Sequence, residues 1–146
     1  MSMKLLPILG ALFLSASPAF ADDMLYLVCK AEGTNKRTSL PSGQIIEDKS
    51  MVSYLMLQID LKGKKLRNHR DPTWVGISVK GDIIIESRNI QKDGLTARLY
   101  AEMPLNPPGP FLVDNWFRNK LEYQVIKVKG DCRNSTELVW DKVVNQ

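Results

Sequence analysis

Two cysteines, one histidine and a few adjacent carboxylates are the residues of this chain best equipped for chemistry. A thiol can serve as nucleophile, metal ligand or half of a disulfide. Zinc draws four ligands from Cys, His and carboxylate, and Cys29, Cys132 and the lone His69 make a poor set for it. A catalytic thiol needs a base beside it. His69, in "LRNHRDPTW", has no special claim to that role and reads as a solvated loop histidine. Glycoside hydrolysis needs two carboxylates facing each other across a cleft. The pairs Asp22-Asp23 and Glu47-Asp48 fall at the mature terminus and in an expected loop. The chain contains no Gly-x-Ser-x-Gly elbow, His-Glu-x-x-His helix, phosphate loop or dinucleotide fingerprint. The sequence therefore names no catalytic residue, no metal and no cofactor.

Export decides what the thiols do. The opening "MSMKLLPILGALFLSASPAFADD" carries one cation, Lys4, then a short apolar run from Leu5 to Leu14, then Ala19 and Ala21 at peptidase-sized positions. This is the layout of a signal peptide over 1–21, cleaved after Ala21, and the run is too short to span a bilayer, which takes about 20 residues. Residues 22–146 then form one domain placed in the periplasm or outside the cell. In an oxidising compartment two thiols in one domain couple, so a Cys29–Cys132 disulfide is expected. It closes a loop of about 100 residues, worth up to ~4.7 kcal/mol in denatured-chain entropy.

The elements that hold these residues read as strands. In "YLMLQIDL", Leu55, Leu57, Ile59 and Leu61 alternate with the outward Gln58 and Asp60, a period of two. Similar alternation runs through "MLYLVCKA", "WVGISV", "LTARLYAEM" and "YQVIKVKGDC". Lys62-Gly63-Lys64, Lys80-Gly81-Asp82 and Lys92-Asp93-Gly94 supply hairpin turns, with glycine offering positive φ. "ELVWDKVV" reads as a last strand, Gly33 to Ser50 as a polar loop, and Leu112 to Asn119 as the best helix candidate, with Leu112 and Trp116 at i, i+4. The expected fold is all-β: a small antiparallel β-sandwich or closed β-barrel of seven or eight strands, with one disulfide. That bridge would join the first strand to the penultimate one and seal the edges of a small sheet.

Two stretches stand out as binding candidates. "KGKKLRNHR" gathers Lys62, Lys64, Lys65, Arg67 and Arg70, which could hold an anionic envelope component or simply keep a hairpin tip soluble. The whole chain has 20 Lys and Arg against 16 Asp and Glu, a formal charge of +4, too small to announce a nucleic-acid binder. "MPLNPPGPFLVDNWF" sets four prolines ahead of Phe111, Leu112, Trp116 and Phe117. A stiff loop presenting large apolar side chains suits a contact with an unknown protein partner; the same residues could instead plug one end of the barrel.

In size, export and a single disulfide the chain resembles periplasmic lysozyme inhibitors, which implies inhibition of an extracytoplasmic enzyme as one alternative. Their Ser-Gly-Ala-x-Tyr type of signature is absent, so no residue carries over. The leading expectation is a non-enzymatic binding protein that docks a partner through 104–117, steered by the basic 62–70 hairpin. A small apolar-ligand carrier, with a barrel cavity lined by residues such as Leu57, Ile77 and Leu99, is the other.

Overall fold

The computed structural model describes residues 23–146, so the expected signal peptide over 1–21 lies outside the described residues, as does Asp22. The strands are Met24–Ser39 (β1), Ile45–Asp60 (β2), Lys65–Asn68 (β3), Val75–Gly76 (β4), Ser78–Lys80 (β5), Ile83–Lys92 (β6), Leu95–Pro104 (β7), Gly109–Arg118 (β8) and Glu122–Asn134 (β9). One helix among the described residues, Glu137–Val144 (α1), follows. All strands belong to a single antiparallel sheet in the order β4-β3-β2-β1-β9-β8-β7-β6-β5. The all-β expectation holds, with nine strands in place of seven or eight.

The extra strand has a simple origin. β4 and β5 are the two ends of the sheet, yet only Ile77 separates them in the chain. Val75 and Gly76 pair with β3; Ser78, Val79 and Lys80 pair with β6. The stretch 75–80 thus changes partner midway, and both edges of the sheet meet on it. That junction wraps the sheet into a nearly closed barrel.

Inside, inward rows from the longer strands and β3 meet one another. Leu27, Cys29, Leu57, Ile59, Leu66, Ile84, Met103, Phe111 and Cys132 are all buried and contiguous. Cys29 and Cys132 stand directly opposite each other on β1 and β9, with Cα atoms 4.0 Å apart, and are joined by a disulfide. β9 is the final strand, and both bridged strands lie in the middle of the sheet order. The bridge therefore seals no edge; it ties the first strand of the barrel to the last. Close by, Gly130 faces Ala31 and Gly33 faces Val128. A Cβ at Gly130 would sit 2.6 Å from the Ala31 Cα, and one at Gly33 would sit 2.7 Å from the Val128 Cα. The two backbones approach so closely here that only glycine fits.

Three sequence-based assignments need correction. "ELVWDKVV" is helical: Thr136 caps it by accepting from the Val139 N–H at 3.2 Å, Glu137 lies in the first turn and Lys142 in the last. Thr136→Ala should cost about 1 kcal/mol in urea unfolding; a shift near zero would show that the cap does not hold the helix. Leu112 to Asn119 is not a helix but mostly β8, because i, i+4 also returns a residue to the same face of a strand. Gly33 to Ser50 is not a loop either; β1 and β2 run through it and only 40–44 turn. Polar inward residues hid those strands. Asn35, Arg37 and Glu47 occupy the rows that are apolar further along, and Arg37 binds Glu122 at 2.7 and 2.8 Å with Glu47 at 3.7 Å. The hydrogen bonds and charge of Glu122 raise the Arg37 pKa further above its ordinary value. One end of the barrel is thus apolar inside and the other polar.

The outer face of the apolar end has its own small core. Tyr26, Gln58 and Arg67 form one cross-strand row: Gln58 donates to the Tyr26 hydroxyl at 3.1 Å, and Arg67 Nε donates to Gln58 Oε1 at 2.7 Å. The buried Trp140 of α1 covers this row, and the Arg67 guanidinium lies 5.6 Å from its ring centre and 4.6 Å from that of Trp74. Gln58 does point outward, as expected, but is buried.

Candidate functional site

Beyond their pairs with 75–80, β3 and β6 part. β2 has no second neighbour from Ile45 to Met56, and β6 has none from Glu86 to Lys92. At Met56 and Tyr54 that edge is closed by the segment after β3: the His69 N–H donates to the Met56 carbonyl at 3.0 Å. The Met56 N–H donates to His69 Nδ1 at 3.0 Å, and Arg70 donates to the Tyr54 carbonyl at 3.2 Å. His69 thus both donates to and accepts from Met56 and prolongs the sheet edge; it is not a free loop histidine.

A cavity of about 200 Å³ lies at this split. Its apolar lining comes from inward positions on four strands, including Leu55, Leu57, Leu99, Ala101, Phe111 and Val113. Its polar lining is Asn68 on β3, Glu86 and Arg88 on β6, Tyr100 on β7 and Asn115 on β8. Glu86 and Arg88 occupy the inward row between Ile84 and Ile90, opposite Ala101 and Leu99. Their side chains pair at 3.0 Å.

Apart from the Glu86 carboxylate, the rim offers mainly donors. Asn68 Oδ1 already accepts from the Arg70 and Asp71 N–H groups at 2.8 and 2.9 Å. Asn115 Oδ1 accepts from the Tyr100 N–H at 2.9 Å, standing in for a carbonyl where the β7–β8 ladder is interrupted. With both oxygens already accepting, the two NH₂ groups are the main remaining capacity of these amides. Arg88 adds a guanidinium. Near it, Asp71 is held below the ordinary carboxylate pKa, first by the Thr73 side chain, then by the Thr73 N–H, with Arg88 adding attraction. Tyr100 donates to Glu102 at 2.6 Å, and that bond raises the phenol's pKa above its ordinary value.

The residues singled out from sequence are dispersed. β8 is pleated, so Phe111 and Phe117 belong to the inward row while Leu112 and Trp116 belong to the outward one. Phe111 is 3% exposed and lines the cavity, so it is no surface anchor. Trp116 is half-buried with its ring 6.3 Å from that of Tyr123. The prolines divide between strand ends and the 105–108 turn, where Pro107-Pro108 is cis. The basic cluster is divided too. Lys65 and Arg67 stack on Trp74, Arg70 caps the β2 edge, and Lys62 and Lys64 project from the turn. In that turn Lys64, at φ 50°, takes the positive angle that Gly63 was expected to take. Of the expected cavity residues, Leu57 and Leu99 line it; Ile77 packs against the core outside it.

Asn68, Glu86, Arg88 and Asn115 were missed from sequence. A signal existed: in "IIIESRNI" and "FLVDNWF" polar residues fall in phase with the inward apolar row. Among the described residues no group of three or more His, Cys, Asp or Glu converges to hold a metal. No helix among them is long and apolar enough to cross a membrane. No protein-family model, curated protein or solved structure matches the chain.

Proposed function

We propose that this is an exported, non-enzymatic binding protein whose ligand enters the split barrel: a small molecule with an apolar body and an acceptor-rich head, such as a carboxylate. The observation that carries this reading is the cavity of about 200 Å³ with an apolar floor and a rim of amide NH₂ groups and an Arg88 guanidinium that spends only its Nε on Glu86. An apolar cavity of about 150 Å³ accepts benzene, so a ring or a short alkyl chain fits here, while a full-length lipid does not. Small barrels of this type fill with side chains or hold one small ligand. The carrier reading gains from this geometry, and docking through a joint Phe111–Trp116 anchor loses from it.

Octanoate is a suitable probe for calorimetry. Burial of a methylene is worth ~0.8 kcal/mol, so hexanoate, two methylenes shorter, should bind about fifteenfold more weakly than octanoate. Ala101→Leu, which fills the cavity, should abolish binding with the fold intact by circular dichroism. Arg88→Met should weaken octanoate at least tenfold and leave octanol unchanged, because only the carboxylate loses a charge-assisted bond. Absence of saturable octanoate binding, or equal binding by Ala101→Leu, would refute the proposal.

A further inference from the structure

Three hairpin turns meet at the polar end of the barrel: 40–44 between β1 and β2, Asp93–Gly94 between β6 and β7, and 119–121 between β8 and β9. The Leu40 N–H donates to the Leu121 carbonyl at 2.9 Å, which locks two of the turns together. A shallow concavity lined by Leu40, Pro41, Gly94, Arg118 and Lys120 connects all three. Turns favour Gly, Pro, Asn, Asp and Ser, but here large apolar side chains stand in water: Leu121 is 65% exposed and the adjoining Ile45 is 56% exposed. Both turns are internally built. Asn119 Oδ1 accepts from the Leu121 and Glu122 N–H groups, each at 2.8 Å, and the Ser39 N–H donates to the Gln44 carbonyl at 2.8 Å.

Charge around this apolar tip is one-sided. Lys92, Arg118 and Lys120 are exposed, and none makes an ion pair among the described residues. Of the nearby acids, Glu122 and Glu47 are bound to Arg37 and Asp48 stands opposite Lys36 in the β1–β2 register, which leaves Asp93. Apolar tips ringed by lysine and arginine match a bilayer surface, where apolar groups enter the headgroup boundary and cations meet lipid phosphates. We infer that the three-turn tip docks on an anionic phospholipid surface, with Leu121, Leu40 and Ile45 as the inserted residues and Lys92, Arg118 and Lys120 as the phosphate contacts. This is the end of the barrel opposite the Lys62–Lys64 turn, and it is independent of what the cavity holds. Because the turns are prefolded, docking orders little chain.

The test is co-sedimentation with phosphatidylcholine vesicles with and without phosphatidylglycerol. The protein should bind the anionic vesicles, bind phosphatidylcholine alone far more weakly, and be released by salt. Each surface cation is worth about a fivefold change in affinity, so the triple variant Lys92→Gln, Arg118→Gln, Lys120→Gln should lose about a hundredfold. Leu121→Ser should lose at least tenfold with an unchanged circular dichroism spectrum. Lys62→Gln with Lys64→Gln should leave binding unchanged. Equal binding to both vesicle types, full binding by Leu121→Ser, or a loss confined to the Lys62 and Lys64 variant would overturn the assignment. So would capture of a protein partner by the tip without any vesicle binding.

Discussion

Reducing the Cys29–Cys132 bridge is expected to lower the unfolding free energy by about 3–5 kcal/mol, a large share of the ~5–15 kcal/mol typical of a domain. The sulfurs join residues 103 positions apart, so the cross-link removes many denatured conformations, and the chain-entropy estimate for such a loop is ~4.7 kcal/mol. Both residues are fully buried and directly opposed in the β1–β9 register, so closing the bond asks for no rearrangement of the sheet. Urea unfolding with and without dithiothreitol measures the difference, and Cys29→Ala with Cys132→Ala should reproduce it. The urea dependence should also be shallower when oxidised, because a cross-linked denatured chain exposes less surface. Equal midpoints in the two redox states would show that the bridge adds nothing to the fold.

Alanine at Gly130 or at Gly33 should cost about 3 kcal/mol or more. Added methylenes in a packed interior usually cost ~1–3 kcal/mol because side chains can shift. At these two sites the obstructing atoms are backbone: the Lys30 carbonyl and Ala31 Cα for Gly130, the Lys127 carbonyl and Val128 Cα for Gly33. Relief would mean prising β1 from β9 beside the disulfide. Gly76 is the internal control. A Cβ there meets nothing within 4 Å, so Gly76→Ala should stay within about 0.5 kcal/mol. Losses at Gly33 and Gly130 no larger than at Gly76 would mean the close approach does not exist in solution.

Legibility followed the water. Where one face of a strand meets an apolar interior and the other meets solvent, as at Cys29 and Ala31 beside the exposed Lys30 and Glu32, the period of two is plain. Hairpin turns at Gly81 and Asp93–Gly94 were equally clear, because positive φ restricts which residues can sit there. Where the interior itself is polar, at Asn35, Arg37 and Glu47, the alternation vanishes and the facing ends of two long strands, 33–39 and 45–50, read as a loop. The aromatic cluster misled for a different reason: a linear list of Phe111, Leu112, Trp116 and Phe117 does not show that pleating sends them to opposite faces. The cavity rim depended on register, which pairs Glu86 with Ala101 and Arg88 with Leu99 across strands, and adjacency of that kind is not written locally. Helix α1 depended on a cap and one buried tryptophan, too little signal to outweigh an alternating string.

The partner-switching stretch 75–80 makes the cylinder lopsided in strength. On one flank β1 is laced to both neighbours along nearly its whole length and bolted by sulfur; on the other, the wall is fastened by Val75 and Gly76 on one side and Ser78 to Lys80 on the other. Thermal breathing therefore concentrates in that short tab, since local opening follows the weakest lacing. The mouth beside Asn68 and Arg88 can gape and reclose while the bolted flank stays still, so the split can widen without the whole molecule coming apart.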